Sequence, residues 1–335
     1  PPPPPPPFFF STHTTPNAIR LSLVGSEMCI RDRCYVPGGT APLVSTVVMT
    51  VVPAKIAGVK EVIVTSPAIN NNVSDEIVVA AKLAGADRIF LLGGAHSIFA
   101  FTYGTESVPR SDLICGPGNK YVTEAKRQVF GKVGIDGLYG PTETLVIADK
   151  SNDAGLCASD LIAQAEHDIE ATPILITNSL DFSKKVEKEI YKQAELLPRK
   201  DIILKSFKLN VLLFVVENMN QSIELANLIS SEHVSILSEE IINQYKKIVN
   251  AGGIFLGDDS GEVFGDYIAG PSHVMPTGGS ARFNSALNVR HFLKYQPIIN
   301  LSKKEVLSVV DDVINLAKFE KLEGHAQSAL KRKKN

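Results

Sequence analysis

From Cys34 onward, short β-branched runs alternate with helix-length amphipathic segments, and after Asn300 only helical periodicity remains. With a length of 335 residues, these features predict an α/β protein of two parallel-sheet domains followed by a helical C-terminal segment. Parallel strands need crossover connections, usually helices, and the alternation supplies them.

The elements follow in order. Residues 61–65 (EVIVT) read as a strand, 74–84 as a helix, 88–92 (RIFLL) as a strand, 97–103 as a short helix and 112–115 as another strand. Residues 116–130 (GPGNKYVTEAKRQVF) open with turn formers and continue as a helix, whose first amides could receive an anion. A second series opens at 144–148 (TLVIA). It continues as helix 153–167, strand 174–177, helix 182–196, strand 211–216, helix 221–230, strand 234–237, helix 239–249 and strand 253–256. Two helices, 303–319 and 320–334, close the chain and end in KRKK, a basic run suited to a helix carboxyl terminus.

Composition removes several function classes. With 34 Lys and Arg against 36 Asp and Glu the formal net charge is −2, which gives no electrostatic case for nucleic acid or a membrane as partner. The most apolar stretch, 41–59, is broken by Pro53 and Lys55 and is too short to span a bilayer as a helix. Four cysteines without a CxxC pair argue for a reducing compartment, with the cytoplasm as default and a plastid as the alternative in a photosynthetic source. Residues 1–7 are all proline, and 21–33 (LSLVGSEMCIRDR) look like a translated sequencing-adapter read. Residues 1–33 are therefore set apart as non-native or disordered; a targeting peptide would open with a basic region and carry a continuous apolar core.

Several polar groups exceed what a simple core or surface asks for. Gln164 and His167 stand three apart on one helix face and could grip the same atom, although a solvated face shows the same pattern. Glu232 and His233 enter a short apolar strand, expected at the end where open α/β sheets present ligands. A histidine there can act as general base, and its carboxylate neighbour can activate water. Asp266 lies in GDYIAGPSH, a turn that ends in His273, and could equally be a cap; Glu320 and His325 lie in FEKLEGH, where a helix terminus is the simpler reading. Two histidines, one aspartate and one glutamine could together form a four-ligand Zn²⁺ site without thiolates. GxGxxG, GxxxxGK[ST], HExxH and GxSxG are all missing, and GPGN at 116–119 is the nearest substitute for a phosphate loop.

Read together, the motifs resemble histidinol dehydrogenase. YVPGGTAPL, GGAHSI, YGTESVP, GPGNKYVTEAKRQV, GPTETLVIAD, QAEH, EH, AGGIFLGD, GDYIAGPSHVMPTGG and EKLEGHA stand in that family's order and approximate spacing, from Tyr35 to about Ala329. The resemblance implies two incomplete Rossmann-like domains: 34–142 contacting NAD, and 143–290 carrying zinc and base residues. Residues 291–335 would complete the partner subunit's site in a homodimer. It implies oxidation of L-histidinol to L-histidine through histidinaldehyde with two NAD and one Zn²⁺ per subunit. Gln164, His167, Asp266 and His325 match the zinc ligands and also contact substrate, as do Thr142, His233 and Glu320. His233 matches the base that takes the alcohol proton, Glu232 the residue that activates water, and Tyr35, His96 and Asn119 the NAD contacts. Two positions depart: His96 replaces a glutamine and Thr142 a serine, which leaves a paralogue acting on another primary alcohol as the alternative. An inactive fragment is a third reading, because family members carry a long stretch before YVPGG and the second series of strands is expected to lack partners here.

Overall fold

The computed structural model describes residues 23–28, 31–38, 42–68 and 71–334; the proline-rich start, residues 1–22, lies outside them. Two compact units result, one of Met28–Lys294 and one that includes Tyr295–Asn335. In chain order the strands are β1 (Leu23–Met28), β2 (Arg31–Tyr35), β3 (Glu61–Ser66), β4 (Arg88–Leu91), β5 (Leu113–Cys115), β6 (Gly134–Ile135), β7 (Glu143–Ile147), β8 (Thr172–Thr177), β9 (Leu212–Val215), β10 (His233–Ile236), β11 (Gly253–Leu256) and β12 (Leu293–Ile298). The helices are α1 (Val44–Ala57), α2 (Asp75–Ala84), α3 (Gly94–Tyr103), α4 (Lys120–Val129), α5 (Ala154–Ala165), α6 (Leu180–Ala194), α7 (Lys200–Asn210), α8 (Met219–Ile229), α9 (Glu239–Ile242), α10 (Glu262–Tyr267), α11 (Lys303–Phe319) and α12 (Glu323–Lys334).

The larger unit holds two five-stranded sheets, ordered β4-β3-β2-β5-β6 and β11-β10-β7-β8-β9, with every pairing parallel. In each, the chain starts at the middle strand, walks to one edge, and returns to fill the other side. The order reverses between β2 and β5 in the first sheet and between β7 and β10 in the second. Alternate residues of each strand enter opposite cores. Val62 and Val64 pack with α1 and α2 while Ile114 packs with α3 and α4; Val146 and Leu175 face α5 and α6 while Leu145 and Ile147 face α8. Burial on both faces is why these strands read as continuous apolar runs. Contrary to the expectation of missing partners, the second sheet has five paired strands, although Leu212, Leu213 and Val215 of its edge strand β9 are exposed.

Two local readings are corrected, and one helix is added. Arg31–Arg33, set apart with the adapter-like run, form the start of β2, the central strand of the first sheet. Backbone ladder bonds are indifferent to side chain, and the charge is accommodated: buried Arg33 lies 3.6 Å from Glu61 and 5.4 Å from the Phe101 ring centroid. The stretch containing Pro53 is helical, α1, with the proline inside. Proline leaves the carbonyl four residues back without its donor, and the Ser272 hydroxyl reaches that Met49 carbonyl at 3.4 Å. Residues 239–249 do not make one helix; α9 ends at Ile242, and a single 3₁₀ turn follows at Tyr245–Lys247. No helix among the described residues is long and apolar enough to cross a membrane.

Candidate active site

At the carboxyl edge of the first sheet, Tyr35 ends β2, and its buried hydroxyl accepts the Gly94 amide at 3.1 Å, in the first turn of α3. His96 is exposed two residues further along that helix. Across the switch point, Gly116 follows β5 with φ +104°, and a Cβ there would meet the Tyr35 carbonyl oxygen at 2.2 Å, so only glycine fits. Asn119 caps α4, its Oδ1 accepting the amides of Tyr121 and Val122 at 3.1 and 3.2 Å. Tyr35, His96 and Asn119 therefore share one edge.

The second sheet gathers its polar groups at the opposite end. Thr142 precedes β7, His233 opens β10, and the two strands are in register at His233 and Thr144. The expectation that Glu232 and His233 sit at the usual ligand-presenting, carboxyl end of a parallel sheet is thus wrong: they occupy the amino edge. The reason lies in the crossover. Helix α5 runs antiparallel to the strands, so its carboxyl end delivers Gln164 and His167 to the strands' amino ends. Glu232 Oε2 accepts from the Thr142 hydroxyl at 2.7 Å and the Glu143 amide at 3.2 Å. Thr142 Oγ1 also lies 3.1 Å from Gln164 Oε1, and Gln164 Nε2 donates to Asp266 Oδ2 at 3.0 Å. His233 Nδ1 lies 3.2 Å from the Glu143 carbonyl, an acceptor only, so Nδ1 carries the proton and Nε2 is left as the basic nitrogen. Nε2 sits 3.5 Å from Asp266 Oδ1 without an aligned hydrogen bond, and the ring stacks 5.8 Å from Phe255.

Burial and charge set the acidities. Burial pushes the Glu232 carboxyl up to about 7, against the pull of His233 and Thr142. Burial would lower the His233 imidazolium, but Glu232, Asp266 and Glu262 outweigh it and raise it to about 10. Asp266 is held below the usual carboxylate range, because His233 outweighs its burial. Glu143, Glu262 and His273 were not among the expected site residues. Glu262 is buried beneath His233; its Oε1 accepts from Thr144 and Ser235 at 2.5 and 2.9 Å, Oε2 has no partner, and burial pushes it up to about 7. Glu143 accepts the Gly278 amide at 3.0 Å, and His273 Nε2 is buried without a hydrogen-bond partner, its acidity shaped by burial and by Asp266 and His233. The GPSH turn signalled His273; nothing local signals that Glu262 points inward.

His167 follows the α5 cap and is exposed. Glu320 and His325 belong to the other unit, Glu320 capping α11 and His325 on α12. Accordingly, no three His, Cys, Asp or Glu side chains among the described residues form a ready metal cage. Within the larger unit, Gln164 Nε2 is already hydrogen-bonded to Asp266 Oδ2, which brings two of the four expected ligands together. With the histidines His167 and His325, they make an oxygen and nitrogen donor set whose chemistry suits zinc.

Two Rossmann-ordered sheets, with a buried carboxylate–imidazole pair at the amino edge of the second, make an α/β protein with the acid–base pair that a dehydrogenase needs. The chain belongs to the histidinol dehydrogenase family, whose profile matches residues 30–333. It is 48% identical over 299 residues to the histidinol dehydrogenase of Dehalococcoides mccartyi, covering 89% of this chain and 69% of that protein. The Thermus thermophilus enzyme is 49% identical over 294 residues, covering 88% and 70%. The crystal structure of histidinol dehydrogenase from Elizabethkingia anophelis superposes with a TM-score of 0.88 at 34% identity, over 93% of this chain and 72% of that one.

Proposed function

We propose that the protein oxidises L-histidinol to L-histidine with two NAD, in histidine biosynthesis, using His233 and Glu232 at the amino edge of the second sheet. The observation that carries this reading is the Glu232–His233 pair itself. His233 is fixed by its Nδ1–H to the Glu143 carbonyl, so Nε2 takes the alcohol proton as hydride leaves for NAD. Glu232, with an acidity near neutrality and held by Thr142 and Glu143, deprotonates the water that adds to histidinaldehyde. The aldehyde hydrate would then surrender a hydride to the second NAD and its hydroxyl proton to the base, leaving the carboxylic acid. Zinc held by Gln164, His167, Asp266 and His325 would anchor the substrate's imidazole and amine and offset the Asp266 share of the carboxylate charge, led by Glu232, that favours the His233 imidazolium. Thr142 and Glu320 contact substrate, while Tyr35, His96 and Asn119 line the NAD edge.

We further infer a homodimer in which Glu320 and His325 complete the neighbour's site; exposed Leu316 and Phe319 on α11 give that helical unit an apolar face to bury. The three cysteines among the described residues are free and buried, which fits a cytoplasmic enzyme. The test is NADH formed per L-histidinol consumed, with and without a zinc chelator. Two NADH per substrate, lost on chelation and recovered with zinc, is the expected result. No NADH from the folded, zinc-loaded protein would overturn the reading and direct the search to other primary alcohols.

A further inference from the structure

One buried ion pair stands where the chemistry of the alcohol has no use for it. Lys126 on α4 is 1% exposed and Asp136, just after β6, is 6% exposed; Nζ and Oδ1 are 2.5 Å apart. Desolvating such a pair is repaid only if further hydrogen bonds occupy its remaining donors and acceptors, so what else it holds is informative. Both partners hold Gly116. Asp136 Oδ2 accepts the Gly116 amide at 2.7 Å, and Lys126 Nζ donates to the Gly116 carbonyl at 3.1 Å. The Gly137 amide adds a donor to Oδ1 at 2.9 Å. Gly116 is the residue at the switch point of the first sheet, where φ is +104° and Tyr35 leaves no room for a side chain. Because Lys126 lies within α4, the pair also ties that helix to the loop that begins it. The same helix also holds the segment that leads to the second sheet: the Tyr139 ring centroid is 4.9 Å from Lys126 Nζ, and Thr123 Oγ1 donates to the Tyr139 carbonyl at 2.5 Å. Three residues on, Thr142 holds Glu232.

We propose that Lys126 and Asp136 are positioning residues for the dinucleotide: a buried clamp on both backbone polar groups of Gly116 that sets loop 116–119 against the bound nucleotide. This rests on the reading that NAD occupies the carboxyl edge of the first sheet. A pair that merely stabilised the fold would affect every ligand alike, whereas a clamp on this loop affects NAD first.

The test is NADH affinity by fluorescence titration on the intact, zinc-loaded enzyme, alongside the KM for histidinol, zinc content and Tm. Asp136→Asn and Lys126→Met should each weaken NADH by about tenfold or more, leaving histidinol KM and zinc content near wild type. Lys126→Arg, which can restore the pair and the carbonyl contact, should recover most of the affinity. The double variant Lys126→Met with Asp136→Leu removes both buried charges and should regain Tm without regaining NADH affinity. Affinity that is unchanged in the folded variants, that returns with Tm, or that falls in step with histidinol binding would overturn the proposal. Should the single variants not fold, hydrogen exchange on the wild type decides: NADH should slow the Gly116 and Gly118 amides, and no slowing there overturns it. Failure of the wild type to bind NADH at all is a different result, which removes the underlying reading and this proposal with it.

Discussion

The two sheets share one strand order and gather their candidate site residues at opposite ends. At the first switch point the carboxyl edge is lined by glycines 93, 94, 116 and 118, and the nearby acid, Asp136, is paired with Lys126. At the second, the equivalent edge is filled by its own side chains. Asp149 accepts from Ser238 and from the amide and hydroxyl of Ser151, while Asn152 accepts the Asp149 amide and donates to the Leu237 carbonyl, both at 2.9 Å. Burial opposes the Asp149 charge, but the Ser151 and Ser238 hydrogen bonds outweigh it and hold the carboxyl below its usual range. An ionised aspartate in that position repels a nucleotide phosphate. A closed carboxyl edge leaves the amino edge for chemistry, and the crossover helix α5 supplies Gln164 and His167 there. Topology therefore fixes where a site can form, and a few polar side chains decide which end is left open for a ligand.

The largest effect expected of this division comes from His233→Asn. Turnover should fall by about 10²–10⁴-fold, the usual share of a general base, with zinc content and NADH affinity retained; steady-state kinetics and metal analysis check it. Next is Gly116→Ala at the other edge, which forces a Cβ against the Tyr35 carbonyl and adds about 1–3 kcal/mol of backbone strain. NADH binding should weaken while histidinol binding persists, as calorimetric titration of each ligand would show. Asp149→Asn should cost about 2 kcal/mol of stability at pH 7 through weakened charged hydrogen bonds, yet leave NADH affinity untouched. Its carboxyl pKa is lowered on folding, so that stability is present above the ordinary carboxylate pKa and lost as pH falls through the folded value. The gap in Tm between variant and wild type should close in acid.

Smallest is Asp160→Asn, within α5. Burial, with help from Asp258, pushes Asp160 up to about 6, so the fold favours its protonated form. The associated stability is complete below the unfolded pKa and lost as pH rises through about 6. The variant should therefore gain about 1 kcal/mol at pH 8 and progressively less toward pH 4, measured as Tm against pH.

Sequence periodicity carried most of the sheets, because strands such as Val62–Val64 and Leu145–Ile147 are apolar on both faces and leave an unambiguous run. It missed β2, whose Arg31, Asp32 and Arg33 disguise a central strand, and α1, where Pro53 argues against a helix that Ser272 rescues from more than 200 residues away. The clustering of Gln164, Glu232 and Asp266 was legible only through motif resemblance, since residues brought together by α5, the entry to β10 and α10 share no local signal. Glu262 escaped for the same reason: a carboxylate in a short helix reads as surface until the fold turns it beneath His233. The edge at which the site lies was misread, because a strand seen alone does not reveal which end its crossover helices serve.

Hydrogen–deuterium exchange with saturating NADH tests the division of labour most directly. Protection confined to residues 93–97 and 116–122, with residues 148–156 unchanged, is the predicted result. Protection at 148–156 without change at 116–122 would place the nucleotide on the second sheet and contradict the account.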